Sequence, residues 1–499
     1  MRKIFTFMVI ALFCASGALA QGALQQLWVN TYTWNAGAVS RDATIVGNRM
    51  YVPSNAANTV IRVIDLADGQ EVPAENITIN GFTGAFGIGA DAAGNLFIPN
   101  TVGGAMINNN VQIFNRATGD ISVLNGVSGV VRTDWFAIRG DMFSDTEPAY
   151  VLAVTGQGRQ ILAIEMMNGV RTATPTAVHM RPAGDNVVSA VTWIDDTRFF
   201  LTEQLTTPTI MTAGNLAADG FVTASQTVNI SNAAINGTAN TVGGAVFTLG
   251  GIQYAVVPFQ LAAEGSPNAN PARTGSVAIF DITDPANPVR IGDPTPRIGT
   301  AGDAGVPHVS INPVVDSERE VRIFVWALNN GAAAFSATAA DAQITPNGGT
   351  HVSPQSVTLS SSTQGAEIRF TLDGSTPDAS SPLFTSAIDL PIGTTTVTML
   401  VTAPHYFPHL KSATFEITDG TTGIDEVTNS LHVFGSNGQI SVAADNRIES
   451  VRVFDLQGRT IHTRTGISLN EYSVAASQGV YIVEVATTAG RVVKRVIVK

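Results

Sequence analysis

A loose repeat of short apolar strands and tight turns recurs about every 40–55 residues in the first part of this chain. Helical periodicity is nearly absent after residue 20. Runs of Val, Ile and Phe alternate instead with Gly, Asn, Asp and Pro turns, which is typical of an all-β protein. One such unit cannot bury its apolar surface alone, so several units must pack against one another.

Six units can be aligned between residues 21 and 340, and each contains an inner strand, a tight turn, a second strand, a polar loop and a third strand. Their inner strands begin at Ala43, Phe86, Trp135, Ser189, Gly244 and Val309. Radial packing of such units predicts a six-bladed β-propeller. A seven-bladed ring is the alternative count, and a pair of β-sandwiches is the alternative fold. The early segment Leu27–Thr31 is expected to supply the outer strand that the last blade lacks.

The N-terminus has the pattern of a secretory signal peptide. Arg2 and Lys3 precede an apolar run from Ile4 to Cys14, and a small-x-small cleavage pattern ends at Ala20. We therefore expect residues 1–20 to be removed. The run is shorter than a membrane span of about 20 residues, and no later stretch is apolar enough, so no transmembrane segment is expected. Cys14 is the sole cysteine, so the mature chain has neither disulfides nor a thiol nucleophile.

Charge and composition exclude several functions. The chain has 39 acidic and 27 basic residues, for a net charge of −12, which argues against nucleic acid as a partner. Residues 21–340 contain no lysine, which excludes Schiff-base chemistry there. The same residues contain two histidines, His179 and His308, which are too few for a multi-histidine metal site. Serine-hydrolase, zinc-protease, P-loop and EF-hand patterns are missing, so we expect no metal and no cofactor, and we assign no catalytic residue.

Polar side chains recur where the predicted strands end or begin. Amides follow the second strand of each unit, at Asn55, Asn100, Gln157, Gln204, Gln260 and Asn329. Further polar residues precede or open the inner strands, at Arg41, Asp42, Arg132, Asp134, Asn186, Asn240 and His308. Both sets should converge at the mouth of the propeller channel, where amides offer donors and acceptors to a sugar or a peptide. The alternative is that each amide binds its own loop backbone.

Composition shifts divide the rest of the chain. A small β unit spans 344–418, a polar linker spans 419–424, and a last β module at 425–499 ends in a basic strand. Alternating strands predict a small immunoglobulin-like β-sandwich for each module. The expected domains are therefore a signal peptide at 1–20, a propeller at 21–340, and sandwiches at 344–418 and 425–499.

Two parts of the chain before the last module resemble known families. Ser276–Pro288 is similar to the repeat of bacterial secreted surface propellers. Ile368–Pro377, with Pro346–Thr350 and Val357–Leu359, resembles the C-terminal β-sandwich of chitobiase and β-hexosaminidase enzymes, although Phe370 stands where that family has tyrosine. That resemblance implies an accessory module without catalytic residues, in which Asp373 forms a turn and is not an acid.

The last module resembles the type A C-terminal sorting domain of the type IX secretion system. The blocks that carry the resemblance are Val451–Arg459, Gly479–Val483 and Gly490–Lys499. It implies passage through an outer-membrane translocon, removal of the module, and attachment to the cell surface or release. Basic residues in the last strand fit an export signal, and their structural alternative is to protect an edge strand.

Together these patterns predict a protein at the cell surface or outside the cell, whose partners are the type IX machinery and a glycan or another polar ligand. The alternatives are a propeller enzyme, such as a glycoside hydrolase or lyase with Asp42 and Asp134 at the mouth, and a purely structural surface component. Whether the propeller is catalytic stays open, although the residues favour binding. Two carboxyl groups facing one cleft would favour the enzyme.

Overall fold

The computed structural model is all-β, with no α-helix among the residues that it describes. These residues divide into two compact units: the first runs up to Gly348 and adds Ser356–Ile388 and Thr395–Thr414, and the second holds Gly349–Gln355, Asp389–Thr394 and Phe415–Lys499. The structure describes residues 24–32, 34, 41–54, 60–79, 85, 87–102, 105–124, 133–155, 160–172, 176–180, 189–203, 207–213, 222–230, 243–259, 276–296, 298, 309–328, 330–419 and 431–499.

Six antiparallel sheets form the blades of the propeller, and their strands follow the predicted order. Blade 1 contains β2 (Thr44–Val46), β3 (Arg49–Ser54), β4 (Val60–Asp65) and β5 (Ile77–Thr78). Blade 2 contains β6 (Gly89–Ala90), β7 (Leu96–Val102), β8 (Ala105–Phe114) and β9 (Ile121–Leu124). Blade 3 contains β10 (Thr133–Arg139), β11 (Ala149–Thr155), β12 (Gln160–Met167), β13 (Val170–Arg171) and β14 (Thr176–Met180).

The other three blades repeat the pattern. Blade 4 contains β15 (Ser189–Trp193), β16 (Arg198–Glu203), β17 (Thr209–Ala213) and β18 (Val222–Thr227). Blade 5 contains β19 (Ala245–Leu249), β20 (Ile252–Phe259), β21 (Ser276–Asp281) and β22 (Val289–Ile291). Blade 6 contains β23 (Val309–Ser317), β24 (Glu320–Ala327), β25 (Gly331–Thr338) and, from the start of the chain, β1 (Gln25–Asn30).

The ring closes through its innermost and outermost strands. The inner strands β2, β6, β10, β15, β19 and β23 contact one another in a complete cycle. Strand β1 pairs antiparallel with β25, from Gln25 opposite Ser336 to Asn30 opposite Ala332. The prediction that the early segment completes the last blade is thereby confirmed. The propeller has six blades.

Apolar side chains pack between neighbouring blades because successive residues of a strand point to opposite faces. On β24, Val321, Ile323 and Val325 join the core shared with blade 5. The alternate residues Phe324 and Trp326 join the core shared with blade 1. Each blade therefore depends on both of its neighbours.

Four alternate residues near the N-terminus tie blade 6 to blade 1, and we call Trp28, Asn30, Tyr32 and Trp34 the strap. The side chain of each strap residue donates a hydrogen bond to an acceptor between residues 66 and 71. The bonds are Trp28 Nε1 to Leu66 O (2.9 Å), Asn30 Nδ2 to Asp68 O (2.9 Å), Tyr32 Oη to Gly69 O (2.7 Å) and Trp34 Nε1 to Glu71 Oε2 (2.9 Å). The rings of Tyr32 and Trp34 also stack on each other and on Trp326.

The first small sandwich follows blade 6. Its strands are β26 (Gln343–Thr345), β27 (Gly349–Val352), β28 (Gln355–Ser360), β29 (Glu367–Thr371), β30 (Ile388–Leu390), β31 (Gly393–Thr402) and β32 (His409–Thr418), in sheets ordered β26-β28-β30 and β27-β32-β31-β29. Asp373 accepts hydrogen bonds from Ser375 in a bend. Strand β29 pairs with β31, so Asp373-Gly374 does not form the hairpin turn that the dipeptide predicts.

This sandwich is joined to the propeller by hydrogen bonds and by a common core. Ala340 N donates to Phe407 O (2.9 Å), and Phe407 N donates to Thr338 O (2.9 Å). Leu410 N donates to Gly250 O in the β19–β20 turn (2.7 Å). The Phe407 ring meets Tyr254 edge-on at 5.3 Å and is buried in the core of blades 5 and 6.

The last module is a β structure with its own core. Its strands are β33 (His432–Ser436), β34 (Gln439–Phe454), β35 (Thr460–Ala475), β36 (Gly479–Thr487) and β37 (Gly490–Val498), in the order β33-β34-β36-β37 with β35 also paired to β34. Val451, Val453, Val483 and Val485 lie at the centre of this core. Arg491 on β37 pairs with Glu484, while Lys494 and Arg495 are exposed.

Candidate functional site

A cavity of about 190 Å³ lies where the inner strands meet. Trp135, Phe136 and Trp193 contribute aromatic surface to it. The neutral polar residues in its lining are Thr44, Thr192, Ser310 and Asn312. The cavity therefore combines ring faces with hydroxyl and amide groups, which suits a ligand that is both polar and uncharged.

Among the described lining residues, Asp42 is the one that carries a carboxyl group, and this residue is 4% exposed. Ser310 Oγ lies 2.7 Å from its Oδ1, and Ala43 N donates to the same oxygen at 2.9 Å. Burial raises the pKa of Asp42 to about 8, against the opposing effect of hydrogen bonds from Ser310, Ala43, Phe136 and Ile88. Burial therefore favours the protonated form of this carboxyl.

The bonds around Asp42 connect four blades. Ala43 belongs to blade 1, Ile88 precedes the inner strand of blade 2, Phe136 lies on blade 3, and Ser310 on blade 6. Inner strands lie at sheet edges, so their backbone groups lack sheet partners on that side. The buried Asp42 carboxyl accepts hydrogen bonds from some of these backbone N–H groups. This matters because a buried N–H without an acceptor costs free energy.

Other polar residues in the lining also bridge blades. Asn312 Nδ2 donates to Ala43 O (3.2 Å), and Thr192 Oγ1 donates to Gly244 O (2.9 Å). Thr44 Oγ1 and the Asn312 amide oxygen make no hydrogen bond to another described residue. These two atoms remain available to a ligand.

An arginine is held between two aromatic rings beside the cavity. The Arg139 guanidinium lies 4.6 Å from the Tyr150 ring and 4.8 Å from the Trp193 ring. Trp193 Nε1 donates to Ala137 O (3.2 Å). These contacts fix the orientation of the Trp193 indole in the cavity wall.

The structure describes the surroundings of a small part of the predicted site. Asp42 lines the cavity, and Arg41 lies half-buried next to it in the chain. Asn100 lies inside β7, and not beyond its end, because β7 continues to Val102. Asp134 lies inside β10 beside a register shift. The remaining predicted residues fall outside the described residues: Asn55, Arg132, Gln157, Asn186, Gln204, Asn240, Gln260, His308 and Asn329.

Sequence reasoning overlooked several residues of the site. Ser310 and Asn312 alternate on β23, and Trp135 and Trp193 lie on inner strands. The predicted inner strands contained Trp135, Trp193 and Ser310, and Asn312 lies just beyond the predicted strand Val309–Ile311, so alternation along each inner strand was the available signal. Residues in the middle of a strand carry no turn or strand-end pattern, so the polar residues at strand ends did not indicate them.

Within the described ranges, no group of three or more His, Cys, Asp or Glu side chains could hold a metal ion. None of the described residues belongs to a helix with the length and apolarity needed to cross a membrane.

Two family models match parts of the chain. The model of the chitobiase/beta-hexosaminidase C-terminal domain matches residues 346–407, as the resemblance predicted. A domain of unknown function matches residues 420–499. The search of curated proteins finds no match.

Solved structures show distant similarity. The extracellular domain of a hybrid two-component system from B. thetaiotaomicron has 12% identity and a TM-score of 0.32, over 79% of this chain and 57% of that chain. A fungal alcohol oxidase of the AA5 family, in complex with copper, has 9% identity and a TM-score of 0.34, over 96% and 100%. A mitotic checkpoint complex chain has 10% identity and a TM-score of 0.35, over 67% and 98%. Similarity at this level carries no conclusion about function.

Proposed function

We propose that this chain is an exported surface protein whose propeller binds a neutral carbohydrate without transforming it. The observation that carries the proposal is the central cavity, lined by aromatic rings and by neutral hydroxyl and amide groups. The match of residues 346–407 to a chitobiase/beta-hexosaminidase module supports a carbohydrate as the ligand class.

The size of the cavity limits what it can hold. Its volume of about 190 Å³ is below the roughly 300–1,000 Å³ of sites that enclose a drug-sized ligand. We therefore assign to it one end of a saccharide. The remainder would contact the predicted rim, which includes Asn55, Gln157, Gln204, Gln260 and Asn329 together with the polar residues that precede the inner strands.

Hydrolysis by the propeller is the second candidate. Its support is the raised pKa of Asp42, because a carboxyl that keeps its proton at neutral pH can act as a general acid. Glycoside hydrolysis usually needs a second carboxyl across the bond, and Asp134 on β10 is the candidate for that role. Binding is preferred because the Asp42 carboxyl is buried and already hydrogen-bonded between blades. A structural surface component without a ligand is the third candidate.

A glycan array on the mature chain tests binding, with Gln157→Ala/Gln204→Ala as the rim variant. Loss of two amides should weaken binding by about tenfold or more, because each hydrogen bond contributes roughly 0.5–1.5 kcal/mol. The melting temperature should stay nearly unchanged. The matched control is Gln70→Ala/Gln226→Ala, at exposed positions away from the channel. Loss of stability with unchanged binding would show that the rim amides only hold their loops, and release of reducing ends would favour the hydrolase.

Export is the second part of the proposal. Residues 1–20 would direct the chain across the inner membrane, and 425–499 would address it to the type IX machinery. The exposed side chains of Lys494 and Arg495 support this role, because they are accessible to a component of the secretion machinery that recognises the export signal.

Deletion of residues 425–499 is expected to leave the protein in the periplasm. The remaining part keeps the propeller and the first sandwich, whose core does not include this module. Cell fractionation with surface proteolysis measures the outcome, and resistance of the truncated chain to limited proteolysis controls for folding. Surface display of the truncated chain would contradict the assignment.

A further inference from the structure

We propose that a groove between blade 6 and the first sandwich is a second binding site, which takes a short neutral oligosaccharide. It has a volume of about 700 Å³ and is lined by Gln25, Ser336, Thr338, Gln364, Gly365, Pro404, His405 and Tyr406. The ligand class rests on the proposed function, whereas the location rests on the geometry of the groove alone.

The size of the groove suits a ligand of several sugar rings. Its volume lies within the roughly 300–1,000 Å³ typical of small-molecule sites, in contrast to the channel cavity. The groove is also open to solvent, since Gln25, Gln364 and His405 are exposed and Tyr406 is half-buried.

The chemistry of the lining favours a neutral hydroxylated ligand. No Asp, Glu, Lys or Arg lies among the lining residues, so a charged ligand would find no opposite charge. The side chains of Gln25, Ser336, Thr338 and Gln364 make no hydrogen bond to another described residue. Amides and hydroxyls in this state can exchange water for ligand hydroxyls, and the Tyr406 ring offers a flat apolar surface.

The two walls of the groove are held firmly together. Ser336 and Thr338 lie on β25, and the other wall includes the turn Pro404–Tyr406. Directly after that turn, Phe407 exchanges backbone hydrogen bonds with Thr338 and Ala340 and enters the core of blades 5 and 6. Buried His409 adds bonds from its ring nitrogens to Ala340 O (2.7 Å) and Glu318 Oε1 (3.1 Å). Fixed walls reduce the conformational entropy that the protein loses when a ligand binds.

The turn itself has an unusual backbone. His405 has a φ of +68°, a left-handed conformation that is uncommon for a residue with a side chain. Its exposed imidazole lines the groove. Strained residues of this kind persist where their surroundings over-determine them, often at ligand sites.

Isothermal titration of the mature chain with cellotriose, maltotriose and chitotriose tests the groove. Tyr406→Ala and Gln25→Ala should weaken binding of the preferred trisaccharide, by about tenfold for the aromatic residue, and Tyr406→Phe should restore it. The matched control is Gln26→Ala, because Gln26 is the exposed neighbour of Gln25 on β1 and does not line the groove.

The outcomes separate this inference from the proposed function. Binding that is lost in the groove variants and retained in Gln157→Ala/Gln204→Ala supports the groove. Binding that is lost only in Gln157→Ala/Gln204→Ala overturns the groove and leaves the propeller proposal standing. If no trisaccharide binds the wild-type chain, the groove proposal is overturned, and the glycan array then decides the proposed function independently.

Discussion

Replacement of Trp28 by alanine is expected to lower the free energy of unfolding by about 3–5 kcal/mol, as for other buried aromatic residues. Trp28 is 9% exposed, packs in the core between blades 6 and 1, and donates from its indole to Leu66 O at 2.9 Å. The substitution removes packing at the one seam that joins the two ends of the propeller sequence. Urea or thermal unfolding of the mature chain measures the loss.

The matched control is Leu27→Ala, since Leu27 lies next to Trp28 on β1 and is 47% exposed. It should change stability by no more than about 0.5 kcal/mol.

Gly69→Ala should also lower the free energy of unfolding, because a Cβ at Gly69 would lie 2.4 Å from the Trp28 ring. Equal stability of Trp28→Ala and Leu27→Ala would show that the strap does not hold the ring closed.

Replacement of Asp42 by alanine is expected to cost about 1–3 kcal/mol for each backbone donor that is left without an acceptor. Ala43 N donates to this carboxyl, and Phe136 and Ile88 are bonded to it as well. Asp42→Ala should therefore loosen the contacts between blades at the centre. The control is Asp195→Ala, because Asp195 bonds within an exposed turn.

Asp42 also predicts how stability depends on pH. Its pKa is about 8 in the folded chain and about 3.9 in an unfolded one, so between these values the folded state binds more protons. The free energy of unfolding contributed by Asp42 should therefore be fully present below about pH 4 and fall as the pH rises to about 8. Comparison of unfolding curves at pH 4, 6 and 8 measures this slope.

The variants isolate this contribution from that of other groups. Asp42→Ala and Asp42→Asn cannot ionise, so the difference in stability between wild type and either variant should change by several kcal/mol across this range, at about 1.36 kcal/mol per pKa unit. Asp42→Asn keeps the side-chain volume and thus separates charge from packing. A difference that stays constant with pH would mean that folding does not raise the pKa of Asp42.

Most of the propeller could be predicted from the sequence, because its strands are short apolar runs bounded by turn residues. The run Tyr254–Val257, for example, lies inside β20, and Val321–Trp326 lies inside β24. In blade 2, where an inner strand was predicted from Phe86 to Ala90, the described residues of that segment form a strand at Gly89–Ala90, and Phe86 lies outside them. A glycine-rich segment has weak strand propensity, so its pairing depends on neighbours that periodicity does not reveal.

The site was less predictable because its burial and hydrogen bonds depend on residues that are distant in sequence and meet only in the folded structure. Asp42 precedes a strand, which suggests an exposed polar residue, but four blades surround it and bury it. Ser310 and Asp42 are far apart in sequence and meet only because the ring closes. The groove likewise depends on β25 and on the turn at Pro404, which no local pattern relates to each other.

The pairing of β1 with β25 has a consequence for the order of folding. The strand that completes blade 6 is near the start of the chain, and its partner around Ala332–Ser336 is near the end of the propeller sequence. Non-local pairings of this kind slow folding, because the intervening chain must be ordered first. Until then β1 and β25 each present an unpaired edge that could add a foreign strand.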